Sequence, residues 1–372
     1  MLRVLQIVSN LALTSGGVSS VVMNLYRNVD RDKVQFDFLC WRNIAESYRA
    51  EIEKMGGRVY YVPSPLRFKS VISAHKQIDA FFREHGGEYP VAHLHSPSAN
   101  RFFLKPAAKY GVPVRICHSH NTFYSDSKIK SFFNRFLCQS LWKYANKFWA
   151  CSKKAGEFMY GRDAVEVGKV EVINNAITCE KFAFNPEVRA EVSAQLGVSD
   201  NFVIGSVGRL CPQKNQLFLI ESFAAMSQQR SDARLVLVGT GPELESIQEL
   251  IVKTGMSDKI ILAGFRPDVN NVLQAFDCFV LPSLKEGLPV SAIEAQACGL
   301  PCLLSDDITH ESDCGYIDFI PLDKHKWSKA LLNIERNKNR HLGQENVKAA
   351  GFDIKIEAKR VQDLYRAFAG EF

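Results

Sequence analysis

The sequence predicts an α/β protein of two domains, each a parallel sheet flanked by helices. Three observations carry this. Short apolar runs alternate with helix-period stretches through both halves of the chain, the pattern of βαβ units. The 372 residues exceed one ordinary core and suit two domains of roughly 180 residues. A composition of 46% hydrophobic and 23% charged residues is that of an ordinary globular chain, which excludes disorder.

Taken in order, the runs at 3–8, 35–40, 58–62, 91–95, 114–118 and 147–151 read as strands of the first domain, and those at 202–207, 234–238, 260–263, 278–281 and 301–304 as strands of the second. The architecture repeats, whereas the sequence does not. Within VEVINNAITCEKFAFNP a strand-like run stops at Asn174-Asn175 and a Phe/Pro-containing connection leads to a helix near 187–196, which sets a boundary. The expected domains are therefore 1–180 and 181–352, facing each other across a cleft. An amphipathic stretch within 353–372 follows as a final helix, with the first domain as a place for it to dock.

Charge divides unevenly. Residues 1–180 hold 25 Lys+Arg against 15 Asp+Glu, net +10, while 181–372 hold 21 against 25, net −4; the two sum to the +6 of the whole chain. A basic first half points to an anionic partner, a membrane leaflet or a phosphorylated acceptor. The opening apolar run is too short for a signal peptide and no run approaches a membrane span, so a cytoplasmic place is expected. Ten cysteines without a C-x-x-C pair read as reduced core thiols, with no disulfide and no zinc site.

The most informative stretch is SLKEGLPVSAIEAQACGLP, which holds Glu286 and Glu294. It follows the apolar run Cys278-Phe279-Val280-Leu281, and Pro289 stands where a helix can start. Strand, loop and helix then place Glu286 in the loop and Glu294 about two turns into the helix. Open α/β sheets bind ligands at the carboxyl ends of their strands, and helix starts offer free N–H groups to anions. Carboxylates suit hydroxyls and N–H groups suit phosphates; a nucleotide sugar carries both.

Other segments add to this. Gly16-Gly17 lie between the first strand and a helix, where a backbone can approach a phosphate closely. Arg209 and Lys214, in VGRLCPQKN, offer a planar fork and a mobile charge suited to a departing diphosphate. Gly239 and Gly241 lack the third glycine of a dinucleotide fingerprint, since Leu244 takes its place, and no phosphate-loop lysine motif occurs. Two H-x-H pairs, His93/His95 and His118/His120, end apolar strands. Each pair shares a face; one member in or near the core and one polar contact, with His120 preferred, is favoured over a metal site. Asp30-Arg31-Asp32 reads as a solvated turn.

The stretch SDSKIKSFFNRFLCQSLWKYANKFW interleaves Lys128, Lys130, Arg135, Lys143 and Lys147 with Phe132, Phe133, Phe136, Leu137 and Trp142. It fits a helix lying in a membrane interface or one packed on its own domain. No RNA-binding motif accompanies the basic charge, so no nucleic acid is expected.

Together SGGVSS, HSHNTF, VINNAITCEKF, VGRLCPQKN, LVGTGPE, AGFRPDV and EGLPVSAIEAQACGLPC resemble the retaining family 4 glycosyltransferases of GT-B fold, including those of capsular and exopolysaccharide biosynthesis. The motifs occur in the family's order along nearly the whole chain. The resemblance implies two Rossmann-like domains. It implies that Gly16, Gly17, Arg209 and Lys214 bind the donor diphosphate, that Gly239 is among the donor-binding residues, that Glu294 binds the ribose, and that Phe265 and Arg266 lie near the base. Glu286, with Gly287, Leu288 and Pro289, would meet the transferred sugar. His120 or His118 would match the family's first-domain histidine, and His120, Arg209, Lys214 and Glu286 form the catalytic set. The family's NG(V/I)D stands here as Asn175-Ala176-Ile177-Thr178, without the glycine or the aspartate.

The expected reaction moves a hexose or N-acetylhexosamine, with retention, from a nucleotide-diphosphate sugar, UDP before GDP, to a growing and lipid-linked glycan. No cofactor and no metal are expected, and peripheral contact with the inner face of an anionic cell membrane is. The alternatives are a GT-B-fold epimerase acting on the nucleotide sugar itself and a non-catalytic nucleotide-sugar-binding scaffold.

Overall fold

A computed structural model describes residues 1–13, 17–125 and 127–370, with Phe68 and Lys128 described by their backbone only. The chain forms two compact units, Met1–Ala176 with Ile354–Phe372 and Ile177–Asp353. The sequence reading divides the chain at 180/181 and 352/353; the units divide at Ala176/Ile177 and Asp353/Ile354.

The first unit is built on β1 (Leu2–Val8), β2 (Val34–Cys40), β3 (Val59–Tyr61), β4 (Val91–Leu94), β5 (Val114–Ser119), β6 (Lys147–Ala150) and β7 (Val170–Val172). Its strand order is β3-β2-β1-β4-β5-β6-β7, and every pairing is parallel. The second unit holds β8 (Phe202–Val207), β9 (Ala233–Val238), β10 (Ile260–Gly264), β11 (Cys278–Leu281), β12 (Cys302–Ser305) and β13 (Ile317–Ile320). Its order is β10-β9-β8-β11-β12-β13, again all parallel. Each is a Rossmann-like α/β sheet. Parallel strands carry helices on both faces, so central strands such as β2 and β8 are buried at every residue and are largely apolar.

The two sheets share a feature that decides where function can sit. In the first unit the strand order reverses between β1 and β4, and in the second between β8 and β11. The connections that leave the carboxyl ends of those neighbours turn to opposite sides, which opens a crevice at the sheet edge. Gly17 and the β4 histidines lie at the first such point, and Arg209, Lys214 and Glu286 at the second.

The last helix, Ile354–Phe368, belongs to the first unit. Ile354, Ala358, Val361 and Tyr365 recur at helical spacing and enter the core formed by Val4, Val22, Phe36 and Trp149. Phe36 meets the Tyr365 ring edge-on at 5.8 Å. All ten cysteines are free, nine of them buried. Among the described residues no helix is long and apolar enough to cross a membrane.

Candidate functional site

In the second unit the loops after β8 and β11 are laced together. Leu284 N–H donates to the Gln213 carbonyl at 2.8 Å, the Gln213 amide to the Lys285 carbonyl at 2.7 Å and the Asn215 amide to the Pro282 carbonyl at 3.2 Å. Asn215 adopts φ 59°, a left-handed conformation that asparagine tolerates better than most residues, and there caps the helix Gln216–Met226. This lacing brings Lys214 Nζ to 2.7 Å from Glu286 Oε1, both side chains largely buried. Arg209 differs: it is exposed, its guanidinium makes no hydrogen bond or ion pair among the described residues, and only its carbonyl is held, by the Gln216 amide at 3.0 Å.

The glycines after β9 have a packing reason. A Cβ on Gly239, at φ +137°, would lie 2.0 Å from the Gly208 carbonyl oxygen, and one on Gly241 2.1 Å from that of Leu210. Only glycine lets the β9 loop lie flat on the loop that carries Arg209. Gly239 N–H also donates to the Gly264 carbonyl at 2.7 Å, which places exposed Phe265 beside the same loop. Arg266 is engaged elsewhere, donating to both carboxylate oxygens of Asp268 at 2.7 and 2.6 Å.

Pro289 caps the helix Val290–Ala297, and Gly287, Leu288 and Pro289 are buried. Glu294 lies in that helix's second turn, nearer its start than the two turns expected. It is half-buried and makes no side-chain hydrogen bond among the described residues. Desolvation pushes its carboxyl up to about 8. Buried polar atoms left without partners gather around these loops: Gln216 Oε1, Glu243 Oε2 and Ser283 Oγ. Buried polar groups in folded proteins are generally satisfied, so these three fit a surface completed by a ligand.

A cavity of about 350 Å³ in the same unit is lined by Arg189, Asp277, Arg336 and Arg340. It lies at the amino end of β11, away from the carboxyl ends. Its charges are structural: Asp277 pairs with Arg189 at 2.7 Å and Arg336 at 2.9 Å, while Arg340 donates to carbonyls of Leu273, Gln274, Phe276 and Cys298.

In the first unit Gly16 lies outside the described residues. Gly17, at φ +62°, begins the helix Val18–Asn28. The histidines depart from the expectation that one of each pair is in the core: all four are buried and bonded together. The Gln6 amide nitrogen donates to Tyr365 Oη at 3.1 Å, and Tyr365 O–H donates to His93 Nδ1 at 2.6 Å. A neutral imidazole has one donor and one acceptor nitrogen. His93 Nε2 therefore carries the proton given to His118 Nδ1 at 3.2 Å. On the other branch His95 Nε2 donates to Gln6 Oε1 at 2.8 Å, so His95 Nδ1 accepts from His120 Nε2 at 2.9 Å. Two ends remain without a partner, His118 Nε2 as an N–H and His120 Nδ1 as a lone pair.

Burial holds His93, His95 and His118 well below the usual imidazole range and His120 at about 3, so all four are neutral at physiological pH. His93, His95 and His118 each bring a ligand atom within 4.8 Å of the others. Both ring nitrogens of His93 and of His95 are already bonded, and a metal would have to displace those bonds.

In the second unit the loops after β8, β9 and β11 carry cationic and carboxylate groups of the kind that suit a ligand with both anionic and hydroxyl groups. Comparison with known proteins decides the family. The model for glycosyl transferases group 1 matches residues 188–313 and that for glycosyltransferase family 4 matches residues 15–181. EpsF of Bacillus subtilis (strain 168), whose name assigns it as a glycosyltransferase, is 37% identical over 84% of this chain and 81% of its own. The chain belongs to glycosyltransferase family 4.

A second relative of this family 4 glycosyltransferase, 30% identical over 83% of each chain, is the Escherichia coli UDP-Gal:alpha-D-GlcNAc-diphosphoundecaprenol alpha-1,3-galactosyltransferase. Among solved structures, HepE of Anabaena, in complex with UDP and glucose, covers 99% of this chain and 100% of its own at a TM-score of 0.78 and 18% identity. Sucrose-phosphate synthase from Thermosynechococcus elongatus also reaches a TM-score of 0.78, covering 100% of each chain at 17% identity. At such identities the likeness carries the fold, which is GT-B. In this glycosyltransferase Arg209, Lys214, Gly239, Phe265 and Glu286, the residues singled out from the sequence, all follow carboxyl ends of neighbouring strands β8, β9, β10 and β11. Sequence reasoning missed the Tyr365 and Gln6 links of the histidine network; an H-x-H pair signals a shared face and says nothing of its distant partners.

Proposed function

We propose that this chain transfers a hexose or N-acetylhexosamine, with retention and without a metal, from a UDP-sugar to a lipid-linked glycan in cell-surface polysaccharide synthesis. The observation that carries the reading is the contact between Lys214 and Glu286 at the β8/β11 reversal, with the unpaired Arg209 guanidinium on the same loop. The Escherichia coli relative supports the finer terms, since its name gives a UDP-sugar donor and a diphosphoundecaprenol-linked acceptor.

In this reading the donor's diphosphate lies against Arg209 and Lys214. Their two positive charges answer the negative charge that develops as the C1–O bond to phosphate breaks, the task a divalent cation performs elsewhere. Glu286 accepts hydrogen bonds from hydroxyls of the transferred sugar while its own charge stays balanced by Lys214. The bond electrons pass to the phosphate oxygen. The acceptor hydroxyl attacks C1 on the face the leaving group vacates, and its proton moves to that oxygen, which retains the configuration. Glu294 binds the ribose, Phe265 lies against the base, and the first-turn N–H groups of the helix that starts after Pro289 face the donor. The assignment of Gly16-Gly17 and of His120 to the same donor rests on the family resemblance. His120 would act through its Nδ1 lone pair, accepting from a sugar hydroxyl. The protein works at the inner face of the cell membrane, where its acceptor is anchored.

A thermal-shift screen against UDP, GDP, ADP and their sugars, with and without EDTA, tests this, because a ligand that binds the native state raises its stability. A shift selective for UDP and indifferent to EDTA, followed by transfer of label to a diphosphate-linked lipid acceptor, is expected. A shift that needs a divalent cation, or none with any nucleotide, overturns the reading.

A further inference from the structure

The helix Lys128–Cys138 carries an apolar stripe that the fold does not use. Ile129, Phe132, Phe133 and Phe136 stand at i, i+3, i+4 and i+7, one face of a helix, and are between 60% and 73% exposed. Trp142, on the next short helix, is 50% exposed. A stripe of this kind normally packs against its own domain. Here the helix is held by its other side: Cys138 is buried, the Asn134 amide donates to the Tyr124 carbonyl at 2.8 Å, and the Asn100 amide donates to the Leu137 carbonyl at 2.9 Å. Soluble proteins seldom leave so many contiguous aromatic groups in water unless something covers them.

Charge identifies what covers them. Residues 127–156 contain seven Lys and Arg and no Asp or Glu. Lys130, Arg135 and Lys143 are exposed around the stripe, and Lys130 and Arg135 make no ion pair among the described residues. Aromatic side chains rimmed by basic ones match the boundary of an anionic bilayer, where rings enter the acyl region and cations meet phosphate headgroups. A second copy of this chain fits worse, because a self-complementary contact would bring the same positive charges face to face.

We propose that this helix, with Trp142, docks the protein on an anionic membrane leaflet through Ile129, Phe132, Phe133 and Phe136. The helix follows β5 in the chain and holds the Tyr124 carbonyl of the connection. Docking therefore brings the connection that follows the carboxyl end of β5 next to the bilayer surface. That last consequence rests on the lipid-linked acceptor proposed above, which would be presented there; the docking itself does not.

The test is cosedimentation of the full chain with vesicles of phosphatidylglycerol and, separately, of phosphatidylcholine, at low and high salt. The wild type should sediment with phosphatidylglycerol and be released by salt. A variant carrying Phe132→Ser, Phe133→Ser and Phe136→Ser should bind more weakly by a factor on the order of ten or more, as should one carrying Lys130→Glu and Arg135→Glu, with the thermal shift by UDP unchanged in both. Equal binding to both lipids, or a triple-serine variant that binds like wild type, overturns the docking. So does a concentration-dependent dimer that the serines abolish in a protein indifferent to vesicles. Vesicle binding without any UDP shift would leave the docking intact and refute the UDP-sugar reading instead.

Discussion

Lys214 Nζ lies 2.7 Å from Glu286 Oε1, a lysine from the loop after β8 meeting a glutamate from the loop after β11, 72 residues later. Neither residue acts alone. With no ligand bound the cation neutralises the carboxylate, and an arriving diphosphate would compete for that cation while sugar hydroxyls take up the carboxylate.

Replacing Lys214 with alanine should lower turnover by about 10²- to 10³-fold, the usual cost of losing one group that stabilises developing negative charge. It also leaves the Glu286 carboxylate without its cation, so the melting temperature should fall. The double variant Lys214→Ala/Glu286→Gln should regain part of that stability and none of the turnover. A double-mutant cycle in melting temperature and rate separates the two effects. Near-normal turnover in Lys214→Ala would contradict the assignment.

Glu294 gives a pH dependence. Its carboxyl, raised from 4.5 to about 8 by desolvation, is mostly protonated at pH 7, while a ribose diol is held best by the carboxylate. Nucleotide affinity should therefore rise between pH 7 and pH 9, and Glu294→Gln should flatten the curve. Stability runs the opposite way. The raised value favours the protonated native state, so its contribution is complete below the unfolded value of 4.5 and is lost as pH rises through about 8. Titrating nucleotide affinity across that window checks the claim; an unchanged slope in Glu294→Gln would sink it.

The four buried histidines act in the acid range. Their folded values are depressed by burial, to about 3 for His120 and well below 6.5 for the other three. The unfolded chain thus binds protons that the native state refuses, and stability is lost as pH falls below about 6.5. Four groups at about 1.4 kcal/mol per proton per pH unit set a ceiling of about 5.5 kcal/mol per unit. Urea midpoints should drop between pH 7 and pH 5; a flat profile would mean the imidazoles are not held neutral.

Gly239→Ala should be severe. The added Cβ would meet the Gly208 carbonyl at 2.0 Å, at a φ of +137° that other residues rarely adopt. A loss of roughly 2–4 kcal/mol is expected, together with weaker UDP binding because the loop carrying Arg209 must move. Denaturant unfolding and UDP titration of the same variant check both effects.

Much of the fold was legible because buried parallel strands read as apolar runs. The strand that the sequence reading does not recognise, β13, is a short edge strand that leaves residues partly exposed; β7, also short and at an edge, reads as a strand-like run but is not counted among the strands of the first domain. That Arg209, Lys214 and Glu286 stand in loops after strands could also be read from the sequence. The contact of Lys214 with Glu286 could not, since it depends on a strand order that places β11 beside β8. Tyr365 is 272 residues from His93, and no local pattern in either segment predicts that bond. The aromatic helix was ambiguous for a similar reason: its sequence gives an apolar face, and only the packing around Asn134 and Leu137 shows which way that face points.

The most direct test is calorimetric titration of wild type and Arg209→Ala with UDP and with UMP. The account predicts that wild type binds UDP at least about tenfold more tightly than UMP, the β-phosphate gaining charge-assisted contacts, and that Arg209→Ala erases most of that difference. Equal affinity for the two nucleotides, or an undiminished preference for UDP in Arg209→Ala, would contradict the diphosphate site on which the proposed reaction depends.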